Sequence, residues 1–466
     1  MEFKENEGSQ PVSPTGQYFT STVLSISILA VLEFKIPLHA LSTMLLLKNV
    51  FLPINPRFSS IMVRGKKGEK QWKRVEVKLE NHVNHPIFPA GLTPDSYEQY
   101  LTDYLSRIAL ERFPQSQPLW EVHIIKYPTI NAAGSVIFKL HHALGDGYSL
   151  MGALLSCLHR ADDPSLSLTF PSLRLLSKTG EENKRIVKRV QKRFSWVINT
   201  VRDFGWGLLK SSLVEDDRTL IRSGDAGVEF KPITITTITF SLDHIKQIKY
   251  KLGVTINDVI TGTIFFGTRL YMQTASQKLK DEHTTALVLL NTRDIDGYKS
   301  VKEMVNPDAD SLWGNKFAFL HVSLPKLIDA EFTNPLKFIL KARKNIKRKR
   351  SSLAVILTGR LLEALKSYRS PEVAARYIHS TLKNSSMTIS NVIGPVEEMA
   401  LDNHPIKGLY FMVVGVPQNL TISVLSYMGK LRVAVGTEKG FIDPQKFKAC
   451  IEIAYQKMLK AASEIP

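Results

Sequence analysis

The chain has 466 residues, 44% hydrophobic and 22% charged, enough for two domains, since single hydrophobic cores stop growing at roughly 250–300 residues. Lys and Arg number 61 against 43 Asp and Glu, a formal net charge of +18, which points to an acidic partner: a phosphorylated ligand, an anionic membrane surface or nucleic acid. Two cysteines, Cys157 and Cys450, exclude a disulfide framework and favour a reducing compartment.

Residues 1–16, MEFKENEGSQPVSPTG, read as a polar leader without the basic-then-apolar order of a secretory signal. The apolar run VLSISILAVL at 23–32 falls short of the ~20 residues that span a bilayer and predicts a buried strand. VIFKLHH at 136–142 is β-rich and runs into a Gly-Asp-Gly turn, a strand followed by a break. SLMGALLSCLHR at 149–160 then places Leu150, Leu154 and Leu158 at helical spacing, and ADDP ends it.

Residues 161–230 change the rhythm. Ile186, Val190, Phe194, Val197, Val201, Phe204 and Leu208 step by three or four, with Lys184, Arg185, Lys188, Arg189 and Lys192 on the other side and Trp196 and Trp206 alongside. This predicts an amphipathic helix with a basic face. A linker containing Gly224 and Gly227 follows. The expected organisation is a first domain over 1–180, a basic interdomain segment over 181–230 and a second domain over 231–466.

The second half opens with the alternating strand ITITTITFSL at 233–242 and the helical stretch GVTINDVITGTIFFGTRLYM at 253–272. Strand candidates TTALVLLNTRD (284–294), KFAFLHVSL (316–324), SSMTISNVIGP (385–395), LYFMVVGV (409–416) and LTISVLSYMGKLRVAVGTEKG (420–440) follow, then a last helix after DPQKF. Strands and helices mix in both halves, so the fold class is α/β or α+β with mixed sheets.

The chemistry-bearing stretch is KLHHALGDGYSL at 139–150. Successive strand residues face opposite ways, so one of His141 and His142 faces a cavity while the other packs or hydrogen-bonds behind. A neutral imidazole is the natural general base near pH 7, with an ordinary pKa of about 6.5, and the positive end of the following helix favours the neutral form. Asp146 can hold the loop by pairing with a distant cation, and its flanking glycines permit a tight turn and close approach of substrate. Plain packing or metal binding are the alternatives. No HExxH, CxxC or His/carboxylate cluster is found to complete a metal site. The Asp and Gly at fixed offsets favour catalysis.

HHALGDG matches HHxxxDG and so resembles the acyl-CoA-dependent acyltransferases and the related condensation domains. Within that superfamily the chain resembles the plant bifunctional wax ester synthase/diacylglycerol acyltransferases, through QPVSPTG (10–16), QPLWEVHII (117–125), TINDVITG (255–262), SNVIGP (390–395) and VPQNLTISVLSYMGKLRVAVGTEKGFIDP (416–444). The resemblance implies two chloramphenicol-acetyltransferase-like domains with mixed sheets, meeting at a substrate tunnel with the histidines at the interface. Acyl-CoA is then a co-substrate entering from one side, the hydroxyl acceptor comes from the other, and no cofactor or metal is required. His142 is implied as the general base and no covalent acyl-enzyme forms.

By the same resemblance Asp146 is structural, with Arg293 of LNTRD as its partner and Gly147 supplying backbone freedom. Ser390 or Asn391 can donate to the oxyanion, or Asn391 caps a turn before Gly394-Pro395. Asn257 and Asp258 support the site from behind, or Asn257 and Thr255 cap the helix. Trp120 is expected in the core. DFGWG at 203–207 copies a motif that plant alcohol acyltransferases carry far towards the C-terminus; here it reads as coincidence.

The implied acceptors, a fatty alcohol or diacylglycerol, are greasy, so the 184–210 stretch reads either as a lipid-surface helix or as a helix packed on the first domain. KARKNIKRKR at 341–350 holds seven basic residues in ten and reads first as a solvated helix face, then as an attractor for CoA phosphates or phospholipid. Nucleic acid is not expected, because no nucleic-acid-binding signature accompanies it. The expected state is a monomer on the cytosolic face of the endoplasmic reticulum, with the plasma membrane as the alternative. Two rivals remain: an acyltransferase of the superfamily with a small polar acceptor, and a silent lipid-binding protein on the same scaffold.

Overall fold

The computed structural model describes residues 10–38, 43–65, 70–170, 200–274, 282–293, 301, 305, 313–326, 334–350, 352–368 and 371–465. The expected helix over 184–199, with Phe194, Val197 and Trp196, lies outside them.

Two large mixed sheets organise the described residues. The first has seven strands, in the order Val83–Asn84, Trp120–Ile125, Gly134–His141, Ser27–Phe34, His404–Val414, Met399–Leu401 and His159–Arg160. All eight residues of Ser27–Phe34 are buried. A strand in the middle of a sheet covered on both faces needs a continuous apolar run rather than an alternating one, which is why the short run at 23–32 becomes a strand. Trp120 is buried as expected, its indole N–H donating to the Phe58 carbonyl at 2.8 Å.

The second sheet has six strands, in the order Phe317–Ser323, Thr285–Asn291, Met387–Ile393, Leu420–Tyr427, Lys430–Glu438 and Ile233–Ser241. Helices Leu242–Leu252, Ile256–Gln273, Leu336–Arg350 and Pro444–Ser463 pack together with it around one apolar core. A small sheet of Gln10–Pro11, Lys70–Arg74 and Ser60–Arg64 flanks the first half.

At the level of sheets the two halves of the chain are not separate. Met399–Leu401 and His404–Val414 leave the second sheet and complete the first, His404–Val414 pairing along Ser27–Phe34. Their hairpin turns on Asp402 and Asn403, both at positive φ (46° and 62°), the conformation a two-residue hairpin requires. The mostly buried residues of His404–Val414 suit only an interior place in a sheet, and the first sheet has one. A further tie is ionic: Arg432 of the second sheet donates to both carboxylate oxygens of Glu33 in the first, at 2.9 and 2.6 Å.

The described end of the amphipathic stretch, a helix over 200–212, turns part of its apolar stripe outward, with Phe204 and Leu208 half-buried. Val201 is 67% exposed and Leu209 and Leu213 also face outward, while Thr200, Asp203, Lys210 and Ser211 are buried. The inward polar residues are satisfied electrostatically: Lys210 pairs with buried Asp216, and Asp203 meets Lys349 at 3.1 Å and Arg348 at 3.4 Å. The basic run at 341–350 is therefore not only a solvated face; its end pins this helix. DFGWG lies inside the helix. Among the described residues no helix is long and apolar enough to cross a membrane.

Candidate active site

The strand Gly134–His141 delivers the histidines to the seam between the two halves. His141 is its last residue; His142 begins the turn, and Asp146 caps the helix Gly147–Ser156 by accepting from the Ser149 N–H at 3.2 Å. Arg293 donates to both oxygens of Asp146, at 2.7 and 2.8 Å, and both side chains are buried. Arg293 also donates to Ser149 Oγ at 3.1 Å and to the Gly314 carbonyl at 2.7 Å, and Asp146 also accepts from the Lys316 N–H at 2.9 Å. Gly314 holds φ +108°, a conformation closed to ordinary side chains. This network fixes the histidine loop of the first half against residues 313–316 of the second. A buried charged pair with its remaining valences satisfied is strongly destabilised when one partner is removed.

His142 sits between the rings of Phe19 and Phe317, at centroid distances of 4.8 and 5.4 Å. Its Nδ1 lies 2.7 Å from Asn315 Oδ1, and Asn315 Nδ2 donates to the His142 carbonyl at 2.9 Å. Since the amide NH2 serves that carbonyl, the oxygen faces the ring, so Nδ1 carries the hydrogen and Nε2 is left as the lone-pair nitrogen. Burial, the largest influence, pushes the His142 pKa below its ordinary value, against the Asp146 charge and the Asn315 bond, which raise it. The imidazole is thus neutral and oriented. The chamber it faces, about 90 Å³, also holds Ile26, Ile28, Phe411, Ser390 and Asn391.

His141 opens on the other side, into a cavity of about 240 Å³ with Arg64, Lys70, Arg112, Phe113 and Glu372 in its walls. Burial, then the neighbouring His142, Lys70 and Lys139, push its pKa down to about 3.

The other expected site residues divide. Ser390 is buried in the His142 chamber, and its hydroxyl makes no hydrogen bond among the described residues. Asn391 is exposed at the chamber's edge, and its Nδ2 donates to Asn257 Oδ1 at 3.1 Å; it lies within the strand Met387–Ile393, so it caps no turn. Asp258 does not reach the site. It is half of a capping box, accepting from the Thr255 N–H at 2.9 Å while Thr255 Oγ1 accepts from its own N–H at 3.1 Å, because an acidic side chain at that helical position can reach back to the cap. Thr255 rather than Asn257 is the cap. Gly147 is not at positive φ. A Cβ there would meet Val392 Cγ2 at 3.4 Å, an ordinary contact, so neither backbone freedom nor lack of space accounts for the glycine.

Asn315, Trp313, Phe19 and Phe317 were not legible as site residues. Asn315 is 173 positions from His142. The one local signal was a Gly-Asn pair between aromatic residues, WGNKF, just ahead of an alternating strand. Trp313 reinforces the loop by donating to the Leu144 carbonyl at 2.9 Å. Among the described residues no group of three or more His, Cys, Asp or Glu could hold a metal.

Two mixed α/β halves, sharing strands and meeting over a buried, oriented imidazole, define a chloramphenicol-acetyltransferase-like fold, the class that also includes condensation domains. The model of the wax ester synthase/diacylglycerol acyltransferase catalytic domain matches residues 52–260, and that of the WS/DGAT C-terminal domain matches residues 313–459. The chain belongs to the wax ester synthase/diacylglycerol acyltransferase family and is an enzyme of that acyltransferase family. It is 29% identical to wax ester synthase/diacylglycerol acyltransferase 4 of Arabidopsis thaliana, over 95% of this chain and 88% of that one. It is 28% identical to wax ester synthase/diacylglycerol acyltransferase 11 of the same plant, over 98% and 96%. In fold it resembles the wax ester synthase/diacylglycerol acyltransferase from Marinobacter aquaeolei VT8, with a TM-score of 0.60 at 16% identity, covering 97% of this chain and 100% of that one. The first condensation domain of the calcium-dependent antibiotic synthetase follows at a TM-score of 0.53 and 13% identity, covering 94% and 92%.

Proposed function

We propose that the protein transfers a long-chain acyl group from acyl-CoA to a fatty alcohol, forming a wax ester, and to the free hydroxyl of diacylglycerol, forming triacylglycerol. The observation that carries this is the Asn315–His142 pair, which fixes the imidazole as a neutral base with Nε2 unprotonated. Nε2 removes the acceptor's hydroxyl proton as the oxygen attacks the thioester carbonyl. The oxyanion takes a hydrogen bond from Ser390. The C–S bond then breaks, and His142 returns the proton to the CoA thiolate, so no covalent acyl-enzyme and no cofactor enter. Arg64, Lys70 and Arg112 place the phosphates of CoA on the His141 side, and the apolar side takes the hydrocarbon.

The enzyme works as a monomer bound peripherally to the cytosolic face of the endoplasmic reticulum. The outward Val201, Leu209 and Leu213 and the lysine-rich segment before them support that reading. Changing those three residues to Ser reduces co-flotation with anionic vesicles; unchanged flotation removes the membrane role of this helix.

The direct test is a radiolabelled palmitoyl-CoA assay on membranes from cells lacking neutral-lipid synthesis, with hexadecanol or diacylglycerol as acceptor. Ester that vanishes with His142→Ala supports the reading and ranks the acceptors. No product from well-expressed wild type overturns it in favour of a small polar acceptor or a silent scaffold.

A further inference from the structure

Beyond the His142 chamber lies a larger cavity of about 310 Å³, within the range of small-molecule sites. The two share Phe19, Phe317 and Phe319 in their walls. Phe19 and Phe317 are parallel, with centroids 6.2 Å apart, and both touch the His142 ring. The two cavities thus abut at one wall of aromatic rings beside His142.

The larger space is not uniformly apolar. Phe317, Phe319 and His321 stand at alternate positions on the strand Phe317–Ser323 and line it, as do Ala318 and Leu320 between them. The row begins with two phenylalanines and ends with an imidazole roughly 13 Å beyond Phe317, at the usual rise per strand residue. His321 Nε2 is shielded and has no hydrogen-bond partner among the described residues. Asp203, which also lines the cavity, uses one carboxylate oxygen for Lys349 and Arg348, and its other oxygen is shielded and has no partner among the described residues. Burial foremost, then Lys349 and Lys210, push the His321 pKa down to about 4, so the ring is neutral and can either donate to or accept from a hydroxyl. Leaving such a group unpaired costs stability, whereas a third phenylalanine in the row would cost none.

We infer that His321 is a specificity-determining residue that hydrogen-bonds an oxygen borne partway along a long-chain substrate lying in this cavity. The enzyme thus favours mid-chain hydroxylated chains over plain ones. The inference rests on the acyl-transfer reading above. The hydroxylated chain can arrive as the acyl group or as the alcohol, and the two arms of the test separate these sources.

In the acyl arm, purified full-length enzyme is given 12-hydroxyoctadecanoyl-CoA or octadecanoyl-CoA with hexadecanol. In the acceptor arm it is given octadecane-1,12-diol or octadecan-1-ol with palmitoyl-CoA. The expected result is a preference in kcat/KM for the hydroxylated chain of about three- to tenfold in one arm, the worth of one neutral hydrogen bond. His321→Phe abolishes the preference and leaves turnover of the plain chain intact, while His321→Gln keeps it. A preference absent from wild type in both arms, or unmoved by His321→Phe, overturns the inference. His321→Leu serves as a second apolar variant if phenylalanine does not fit.

Gly359 lines the cavity, and a Cβ there would meet open space. Gly359→Trp is the variant chosen to narrow the cavity. It should lower kcat/KM for octadecanoyl over octanoyl chains at least about fivefold in the same arm, and equal rates for both lengths also overturn the inference. Failure of wild type to form ester from any pair is a different result, because it removes the acyl-transfer reading itself.

Discussion

Adjacent in the chain, His141 and His142 open onto two cavities that share no lining residue. Burial lowers the pKa of both, so burial does not distinguish them; their hydrogen bonds do. His141 Nδ1 accepts from the Ala143 N–H at 3.1 Å, which puts its proton on Nε2, 3.2 Å from Ser25 Oγ. His142 has the opposite tautomer, with Nδ1–H on Asn315 and Nε2 without a partner among the described residues. One imidazole has both nitrogens engaged and closes the end of a strand; the other keeps a lone pair for chemistry. The walls differ as well: phenylalanines and aliphatic residues on the His142 side, and Arg64, Lys70 and Arg112 on the other. On the proposed reaction, a thioester with a charged carrier and an apolar chain would meet a matching division.

The largest effect should follow the tautomers. His142→Ala is expected to lower kcat by about 10²–10⁴-fold, the usual worth of a general base, with little change in thermal unfolding. His141→Ala should do the reverse, costing about 1–3 kcal/mol by leaving the buried Ala143 N–H unpaired while retaining most activity per folded molecule. Steady-state kinetics beside calorimetry on both variants decides it, and the opposite assignment of effects would reverse the comparison.

Next in size is the pair beneath both histidines. Arg293→Ala leaves Asp146 buried and unpaired, so about 3–5 kcal/mol of stability should be lost, and activity with it. Arg293→Lys should not restore it, because a lysine cannot give two parallel bonds to the carboxylate. A denaturant midpoint unchanged in Arg293→Ala would show that the loop is held by other means.

The histidine motif with Asp146 was legible because its spacing is local, whereas Arg293, 147 positions away, was reached only through the family resemblance. Asn315 was hidden for a physical reason: its bond to His142 forms only when residues of the second half reach the turn of the first. The crossing strand His404–Val414 was hidden likewise, since its apolar run marks it as buried but says nothing of which sheet it joins. For the helix over 200–212 the apolar spacing left a lipid-facing and an inward stripe both open, and Asp203 and Lys210 are buried because Lys349, Arg348 and Asp216 pair with them. Apolar periodicity finds a helix; it does not find which face is inward when ion pairs compete.

A smaller effect separates orientation from packing at Asn315. On the proposed reaction the base is the unprotonated His142 imidazole, so kcat/KM should stay level as pH falls through 6.5 and drop only below it, because burial lowers the His142 pKa. Asn315→Leu removes a bond that raises that pKa. It should cut kcat about 10- to 100-fold, in line with a lost orienting contact to a reacting group, and shift the acid limb to still lower pH. A mere packing defect would lower kcat and leave the limb in place. The same burial acts on stability. Below about 6.5 the unfolded chain takes up protons that folded His141 refuses down to about 3, so stability is complete above the first value and falls towards the second.

The smallest effect tests the basic wall, where Arg64 and Arg112 are exposed. Exposed charges in water attract a phosphate weakly and are screened by salt. Arg64→Ser with Arg112→Ser should therefore raise KM for acyl-CoA only about three- to fivefold at low salt, with kcat unchanged, as uniform binding contacts do. The difference from wild type should shrink towards nothing near 0.5 M salt. Lys70 is a poorer probe, because its ammonium also donates to Thr20 Oγ1 at 3.0 Å and its loss would disturb the chain that carries Phe19. If the double variant raises KM for the alcohol instead, the two cavities exchange roles. The alcohol would then enter beside His141, and the division of charge from hydrocarbon across the two histidines would not be the basis of substrate placement.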